Sequence, residues 1–279
     1  MRVIFELIKF QHTIFALPFA LMSMLVCENG WSSFWVIFWI LMAMVSARSS
    51  AMAFNRVVDL RFDALNPRTQ NRPLVRGEIS VKSIWLFTIT TAIIFIISAA
   101  MLNNLAFYLS PVALAILYFY SFTKRWTWLT HIFLGLSLAI APIGVWIAIK
   151  SEIVLVPLVL GLAVLFWVAG FDIIYATLDF EFDKTYGLQS MVVRFGIPKA
   201  LIISRVMHFF MVILLLWFGV LAQLGLSYFM GVFVVSLMLI YEHSLVNPAD
   251  LSRVNIAFFN VNGLVSVFLF VMTWIDNIF

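Results

Sequence analysis

Apolar runs of roughly 18–22 residues, each long enough to cross a bilayer as a helix, recur along almost the whole of this chain. Hydrocarbon offers no partner for backbone N–H and C=O groups, so only helices or a closed barrel can span it. The runs are continuous and do not alternate in short strands, which excludes the barrel. With 64% apolar and 11% charged residues and a mean hydropathy of +1.09, the chain reads as an all-α, polytopic membrane bundle of about nine transmembrane helices. The predicted spans are 10–27, 34–53, 84–102, 105–121, 130–149, 153–172, 199–220, 225–243 and 257–275.

Charge tests this count. Arg2 and Lys9 precede the first span; Arg56, Arg61, Arg68, Arg72, Arg76 and Lys82 share the second connection. Lys124 and Arg125 lie in the fourth, Lys184, Arg194, Lys199 and Arg205 in or beside the sixth, and Arg253 in the eighth. Only Lys150 falls on the opposite side, and Arg48 lies within a span. The positive-inside rule therefore predicts a cytoplasmic N-terminus and an outside C-terminus. The first segment is not expected to be a cleaved signal, because it lacks a small-residue cleavage site and Gln11 and His12 lead into a Pro18-containing span. One cysteine, Cys27, excludes an internal disulfide and reads as a small hydrophobe. The basic loops suit anionic lipid head groups and imply no nucleic acid. Trp31 and Trp274 read as interfacial belt residues.

Two stretches about 120 residues apart are alike: Asn55-x-x-x-Asp59-x-x-x-Asp63 and Tyr175-x-x-x-Asp179-x-x-x-Asp183. Acids four apart share a helix face. With Asp172, the second set forms one predicted stripe. Single acid pairs are common at solvated helix ends. Two pairs on one side of the membrane, each preceded by an amide or phenol and followed by cations, point to a built site. Four acids at helix ends are costly without a positive partner. Mg²⁺ with a phosphorylated ligand meets that need, since it takes a few carboxylates, waters and phosphate oxygens. Arg68, Arg72, Lys124 and Lys184 are candidates for the remaining phosphate oxygens. Asn66-Pro67 and Arg72-Pro73 should end any helix carrying Asp59 and Asp63. His12, His131, His208 and His243 show no metal-ligand spacing and read as packing donors. Asn255, Asn260 and Asn262 are expected to cap the last helix or line the cavity.

These motifs resemble the UbiA superfamily of intramembrane prenyltransferases over most of the chain. The two aspartate motifs, the segment Arg68 to Leu74, and Tyr118-x-Tyr120-x-x-x-Lys124-Arg125-x-Thr127 carry the resemblance. It implies a single integral-membrane prenyltransferase domain over residues 1–279, in a bacterial cytoplasmic (inner) membrane with its site facing the cytoplasm. It also implies Mg²⁺-dependent transfer of a polyprenyl group from its diphosphate to an aromatic acceptor. Within the superfamily the chain is most similar to the 4-hydroxybenzoate polyprenyltransferases of ubiquinone synthesis. Asn66-Pro-Arg-Thr69, Gly170 to Tyr175 and Ala257 to Gly263 resemble a branch found with the futalosine route to menaquinone, where the acceptor is a hydroxynaphthoate.

In that reading Asp59 and Asp63 hold one Mg²⁺, and Asp179 and Asp183 another. Asn55 binds phosphate or metal water, Tyr175 faces the allylic cation or orients an acid, and Arg125 takes the acceptor's carboxylate. Arg48 and Asp172 are further substrate-side candidates. A secondary transporter is the alternative from another class, but it would place its charges near the membrane midplane. A CDP-alcohol phosphatidyltransferase would need an Asp-Gly-x-x-Ala-Arg pattern that the chain does not contain.

Overall fold

The computed structural model describes residues 13–278, so Arg2, Lys9, Gln11, His12 and the start of the first predicted span lie outside the described residues. Twelve α-helices follow in order: α1 (Thr13–Glu28), α2 (Phe34–Val58), α3 (Leu60–Leu65), α4 (Val81–Ala100), α5 (Asn104–Thr123), α6 (Thr130–Lys150), α7 (Leu155–Ala176), α8 (Phe180–Thr185), α9 (Met191–Phe195), α10 (Ile197–Leu221), α11 (Leu226–Ser244) and α12 (Asn262–Ile278). A 3₁₀ turn joins α7 to α8, and a π-helical stretch, Ile256–Val261, leads into α12. Among the described residues eight helices are long and apolar enough to span a membrane, and α1 adds a shorter apolar one. Each coincides with a predicted span.

The described residues pack as two compact units: residues 33–122, and residues 14–32 with the chain from 123 onward. The first unit carries the first aspartate motif on α2 and α3. Ser50 on α2 donates to the Thr88 carbonyl on α4 at 2.8 Å and meets the Tyr118 hydroxyl on α5 at 2.6 Å. Phe54 stacks on Tyr118, ring centroids 4.4 Å apart, and meets Trp85 edge-on. Lipid tails are as apolar as leucine, so close packing and interhelical hydrogen bonds of this kind, rather than water exclusion, hold membrane helices together.

The second unit is built around α7, two-thirds of whose apolar window is buried. Trp167 on α7 packs against Phe19 at 5.0 Å and Phe171 at 5.1 Å, and Phe171 meets Phe258 edge-on at 5.2 Å. Ser23 on α1 donates to the Pro142 carbonyl on α6 at 2.7 Å. Cys27 is buried and free, as its role as a small hydrophobe requires. Asp276 on α12 accepts from the backbone N–H of Gly225 and Tyr228, capping α11. Trp31 and Trp274 lie 6.4 Å apart, both substantially exposed, in keeping with a belt position.

One expectation is corrected. Asp172, Tyr175, Asp179 and Asp183 do not lie on one continuous α-helix: α7 ends at Ala176, the 3₁₀ turn covers Thr177–Asp179, and Asp183 sits on α8. The first motif is broken at the corresponding place, with α2 ending at Val58 and α3 starting at Leu60. Face periodicity forecasts which side chains align within a helix, but carries no signal for a tightened turn inside an unbroken apolar pattern.

Close approach of α6 to α7 depends on Gly135, where an added Cβ would lie 2.3 Å from the Leu165 carbonyl oxygen, whereas a Cβ at Gly144 on the same helix meets nothing within 4 Å. Backbone cannot move aside as a side-chain tip can. Gly135→Ala is therefore expected to lower stability by about 1–3 kcal/mol, and Gly144→Ala to leave it unchanged or slightly raised. Thermal unfolding of the two variants in detergent checks this; equal melting points would refute the packing argument.

Candidate active site

The two aspartate motifs have the same local architecture. In each, the middle aspartate caps the break between a long helix and a six-residue helix: Asp59 at φ −91°, ψ 2°, and Asp179 at φ −103°, ψ 5°. This bridge region is sparsely populated and recurs at active sites. In each, the last aspartate is buried, with Asp63 7% and Asp183 2% exposed. In each, a cation from a following or neighbouring loop engages it.

In the first motif Arg72 Nη1 pairs with Asp63 Oδ2. Asn55 Nδ2 donates to Asp59 Oδ2 at 2.9 Å, so the amide four residues earlier orients the first carboxylate. Asn66 ends α3, as the Asn66-Pro67 step demands, and its Oδ1 accepts from the Arg68 N–H at 2.9 Å. Thr69 Oγ1 donates to the Asp63 carbonyl at 3.0 Å. The loop is thus folded back to place Arg72 on the acid. The Arg68 side chain is exposed, and Arg48 lies half-buried two turns before Asn55 on α2.

In the second motif Lys124 Nζ lies 3.3 Å from Asp183 Oδ2. The two loops are tied together: Gln189 N–H donates to the Lys124 carbonyl at 2.6 Å and Leu188 N–H to that of Asp183 at 2.8 Å. Gly187, at φ 71°, makes the turn after α8. Burial by itself would lower the Lys124 pKa, but Asp183, Asp179 and Asp172 together hold it above the ordinary lysine value. Arg125, the next residue, is half-buried. Lys184 takes a different course from the expected phosphate ligands: it is exposed, with its ammonium over the Phe180 ring at 5.7 Å.

Tyr175 stacks on Phe258, centroids 4.1 Å apart and planes at 23°, with Phe259 edge-on at 6.2 Å. Asp172, one turn earlier, meets His131 Nδ1 at 2.6 Å. His131 is fully buried, and this contact raises it from a packing residue to an anchor of the acidic stripe. The signal was Asp172 itself: a carboxylate within a membrane helix needs a donor, but nothing in the chain pattern said which. Asn262 is likewise more than a cap. It accepts from Trp167 Nε1 at 2.7 Å and donates to Glu242 Oε1 at 2.8 Å, all three fully buried. Its amide also reaches the Ala257 carbonyl at 3.1 Å, bracing the π-helical turn.

The donor set at both motifs is hard carboxylate oxygen, suited to Mg²⁺. Among the described residues no three His, Cys, Asp or Glu side chains converge as a ready cage. An ion held at either motif would take its two carboxylates, with waters and substrate phosphate oxygens completing the shell.

A family model described as the UbiA prenyltransferase family matches residues 16–264. The chain belongs to this family. A 4-hydroxybenzoate octaprenyltransferase of Francisella tularensis subsp. novicida (strain U112) is 30% identical over 259 residues, which cover 92% of this chain and 90% of that one. One from Methylobacillus flagellatus is 29% identical over 244 residues, 88% and 82% of the two chains. The apo structure of a UbiA homolog from Aeropyrum pernix K1 superposes with a TM-score of 0.86 at 34% identity, covering 95% of this chain and 98% of that one. A UbiA homolog from Archaeoglobus fulgidus bound to GPP and Mg²⁺ shares the fold, with a TM-score of 0.77 at 24% identity and coverage of 99% and 100%. As a UbiA prenyltransferase, this chain is an integral membrane transferase.

Lys124 is the partner of a buried acid. Lys124→Met should lower stability by about 1–2 kcal/mol, less than a fully enclosed pair would lose because its side chain is 34% exposed. Adding Asp183→Asn should restore part of the loss, which a double-mutant cycle of melting temperatures measures. The sign of the pKa shift sets the pH response. A lysine held above its ordinary value keeps the pair intact through neutral pH and loses it only as pH rises through the folded value.

Proposed function

We propose that this UbiA-family transferase moves a polyprenyl group from its diphosphate to an aromatic hydroxycarboxylate, 4-hydroxybenzoate in particular, for respiratory quinone synthesis. The observation that carries the reading is the repeated motif geometry: a broken helix, a bridge-region aspartate, and a buried second aspartate engaged by Arg72 or Lys124. The 4-hydroxybenzoate octaprenyltransferase relatives support the acceptor. The GPP and Mg²⁺ bound to the Archaeoglobus homolog support the donor and the metal.

Asp59 and Asp63, and Asp179 and Asp183, would hold Mg²⁺, which supplies charge neutralisation for the departing diphosphate. Arg72 and Lys124 already stand at the second aspartate of their own motifs, where a phosphate oxygen would give each a second anion to hold. Arg68 and Lys184 are exposed on the two loops and would turn onto outer phosphate oxygens. The allylic C–O bond breaks with both electrons going to the diphosphate oxygen. The allylic cation then meets an electron-rich ring carbon ortho to the phenolic oxygen. A C–C bond forms, and the ring proton leaves to restore aromaticity. Tyr175, half-buried and backed by Phe258, supplies an aromatic ring of the kind that attracts such a cation. Arg125 offers the planar fork that a carboxylate accepts in bidentate fashion.

Four sets of measurements test this reading. Chelation should abolish transfer, and Asp59→Ala and Asp179→Ala should each lower turnover by about two or more orders of magnitude while the protein still purifies folded. Arg125→Ala should raise the apparent KM for 4-hydroxybenzoate roughly tenfold or more and leave that for prenyl diphosphate unchanged. A loss confined to the diphosphate substrate would move Arg125 to the leaving-group site. A panel including dihydroxynaphthoate decides the acceptor: faster turnover with the naphthoate would overturn the benzoate assignment. Orientation is tested with Gln70→Cys and Thr185→Cys in a Cys27→Ser background, where impermeant thiol reagents should label both only from the cytoplasmic face.

A further inference from the structure

A groove outside the aspartate motifs runs between α10 and α11. It has a cavity volume of about 550 Å³, and its lining includes Arg205, His208, Phe209, Ser236, Ile240 and His243. Phe209 is 62% and Ile240 67% exposed, so the groove opens on the outside of the unit. Arg205 lies about 12 Å along α10 from its start at Ile197, at a rise of 1.5 Å per residue. His243 stands in the last turn of α11. The groove therefore sits towards the end of the unit where α7 runs out into Asp179.

The polar groups of the groove have a defined sense. His208 Nε2 lies 3.2 Å from the Trp167 carbonyl, which can only accept, so that nitrogen carries the proton. In the neutral ring His208 Nδ1 is then an acceptor, and its neighbour at 3.0 Å, His243 Nε2, must donate to it. Glu242 Oε2, at 3.7 Å from the same nitrogen, is beyond hydrogen-bond length. His243 Nδ1 is left as a lone pair. The Ser236 hydroxyl donates to its own helix, at Val232. Arg205 is thus the sole cation among the described lining residues, and no described carboxylate lies within ion-pair reach of it. An arginine among lipid-facing residues is costly without an anion.

We propose that this groove is a binding site for an acidic glycerophospholipid of the phosphatidylglycerol class. Its phosphate lies on Arg205, its free headgroup hydroxyl donates to His243 Nδ1, and its acyl chain runs over Phe209 and Ile240. A zwitterionic lipid places a second cation beside Arg205 and has no such hydroxyl, so it fits less well. The site has a route to the aspartate stripe. His208, which forms its floor, packs on Gly170 of α7 so closely that an added Cβ there would come within 2.3 Å of the ring, and Asp172 follows on the same helix.

The test is native mass spectrometry of the purified full chain, titrated with phosphatidylglycerol, phosphatidylmethanol or phosphatidylcholine of identical acyl chains. The wild type is expected to hold one phosphatidylglycerol about tenfold more tightly than phosphatidylcholine, because choline adds a cation beside Arg205 and has no hydroxyl to donate to His243 Nδ1. Arg205→Gln, at an exposed position, should fold normally, weaken phosphatidylglycerol binding about tenfold and narrow its lead over phosphatidylcholine to the part left by the hydroxyl contact with His243. His243→Leu should remove the preference for phosphatidylglycerol over phosphatidylmethanol, which has the phosphate but no free hydroxyl. Ile240→Trp, which fills the groove from an exposed position, should lose the bound lipid at an unchanged melting temperature. Equal binding of the two lipids by the wild type, or an affinity for phosphatidylglycerol left unchanged by Arg205→Gln, would overturn the proposal. Displacement by millimolar inorganic phosphate would also overturn it, by assigning the site to a free anion.

Discussion

A carboxylate at the end of a membrane-spanning helix must be neutralised by something within reach, because the hydrocarbon beside it offers neither water nor counter-ion. Both aspartate motifs are organised by that demand. Asp63 meets Arg72 and Asp183 meets Lys124, and in each case the loop is folded to deliver the cation. Asn66 and Thr69 turn the first loop back through side-chain hydrogen bonds, and the Gln189-to-Lys124 contact ties the second. These contacts hold cations and anions together before any substrate arrives. A diphosphate with its metal would meet groups already in place and lose less to reorganisation.

The helix break at the middle aspartate is the second device. A continuous α-helix would place the last aspartate a full turn further along one axis. The 3₁₀ turn over Thr177–Asp179 and the junction at Asp59 redirect it onto a short separate helix. In hydrocarbon such breaks leave unpaired backbone groups. At the end of a span, the neighbouring short helix takes them up, as when Asp63 N–H donates to the Asp59 carbonyl at 2.8 Å. The break is tolerated at the interface for the same reason that the acids are.

Away from the motifs, the second unit spends its polar residues on a buried chain through Trp167, Asn262 and Glu242, with His208 and His243 alongside. Transmembrane helices gain little from burying apolar surface against one another, so a few interhelical hydrogen bonds have a large say in which helices meet and in what register. Here they join α7, α10, α11 and α12. The π-helical turn before Asn262 belongs to the same arrangement, since the wider turn is braced by the Asn262 amide itself.

Hydropathy, charge, proline positions and acid spacing determined the all-helical class, about nine spans, the break at Asn66-Pro67 and the two aspartate motifs. These are properties of runs along the chain, where the bilayer imposes one period and one length. The motifs also carried the family resemblance, since two acid pairs at matched spacing, each followed by cations, are specific where the rest of the chain offers mostly apolar character. Tertiary structure decided which cation meets which acid. Lys124 and Lys184 are equally plausible phosphate ligands in the sequence, yet one reaches Asp183 across the loops and the other lies exposed over Phe180. It also decided that His131 anchors Asp172, that Asn262 serves Trp167 and Glu242, and that the second motif is split between helices. Spacing sets the face of a helix on which a side chain stands. Its partner depends on how helices distant in the chain cross, and only the packed structure contains that.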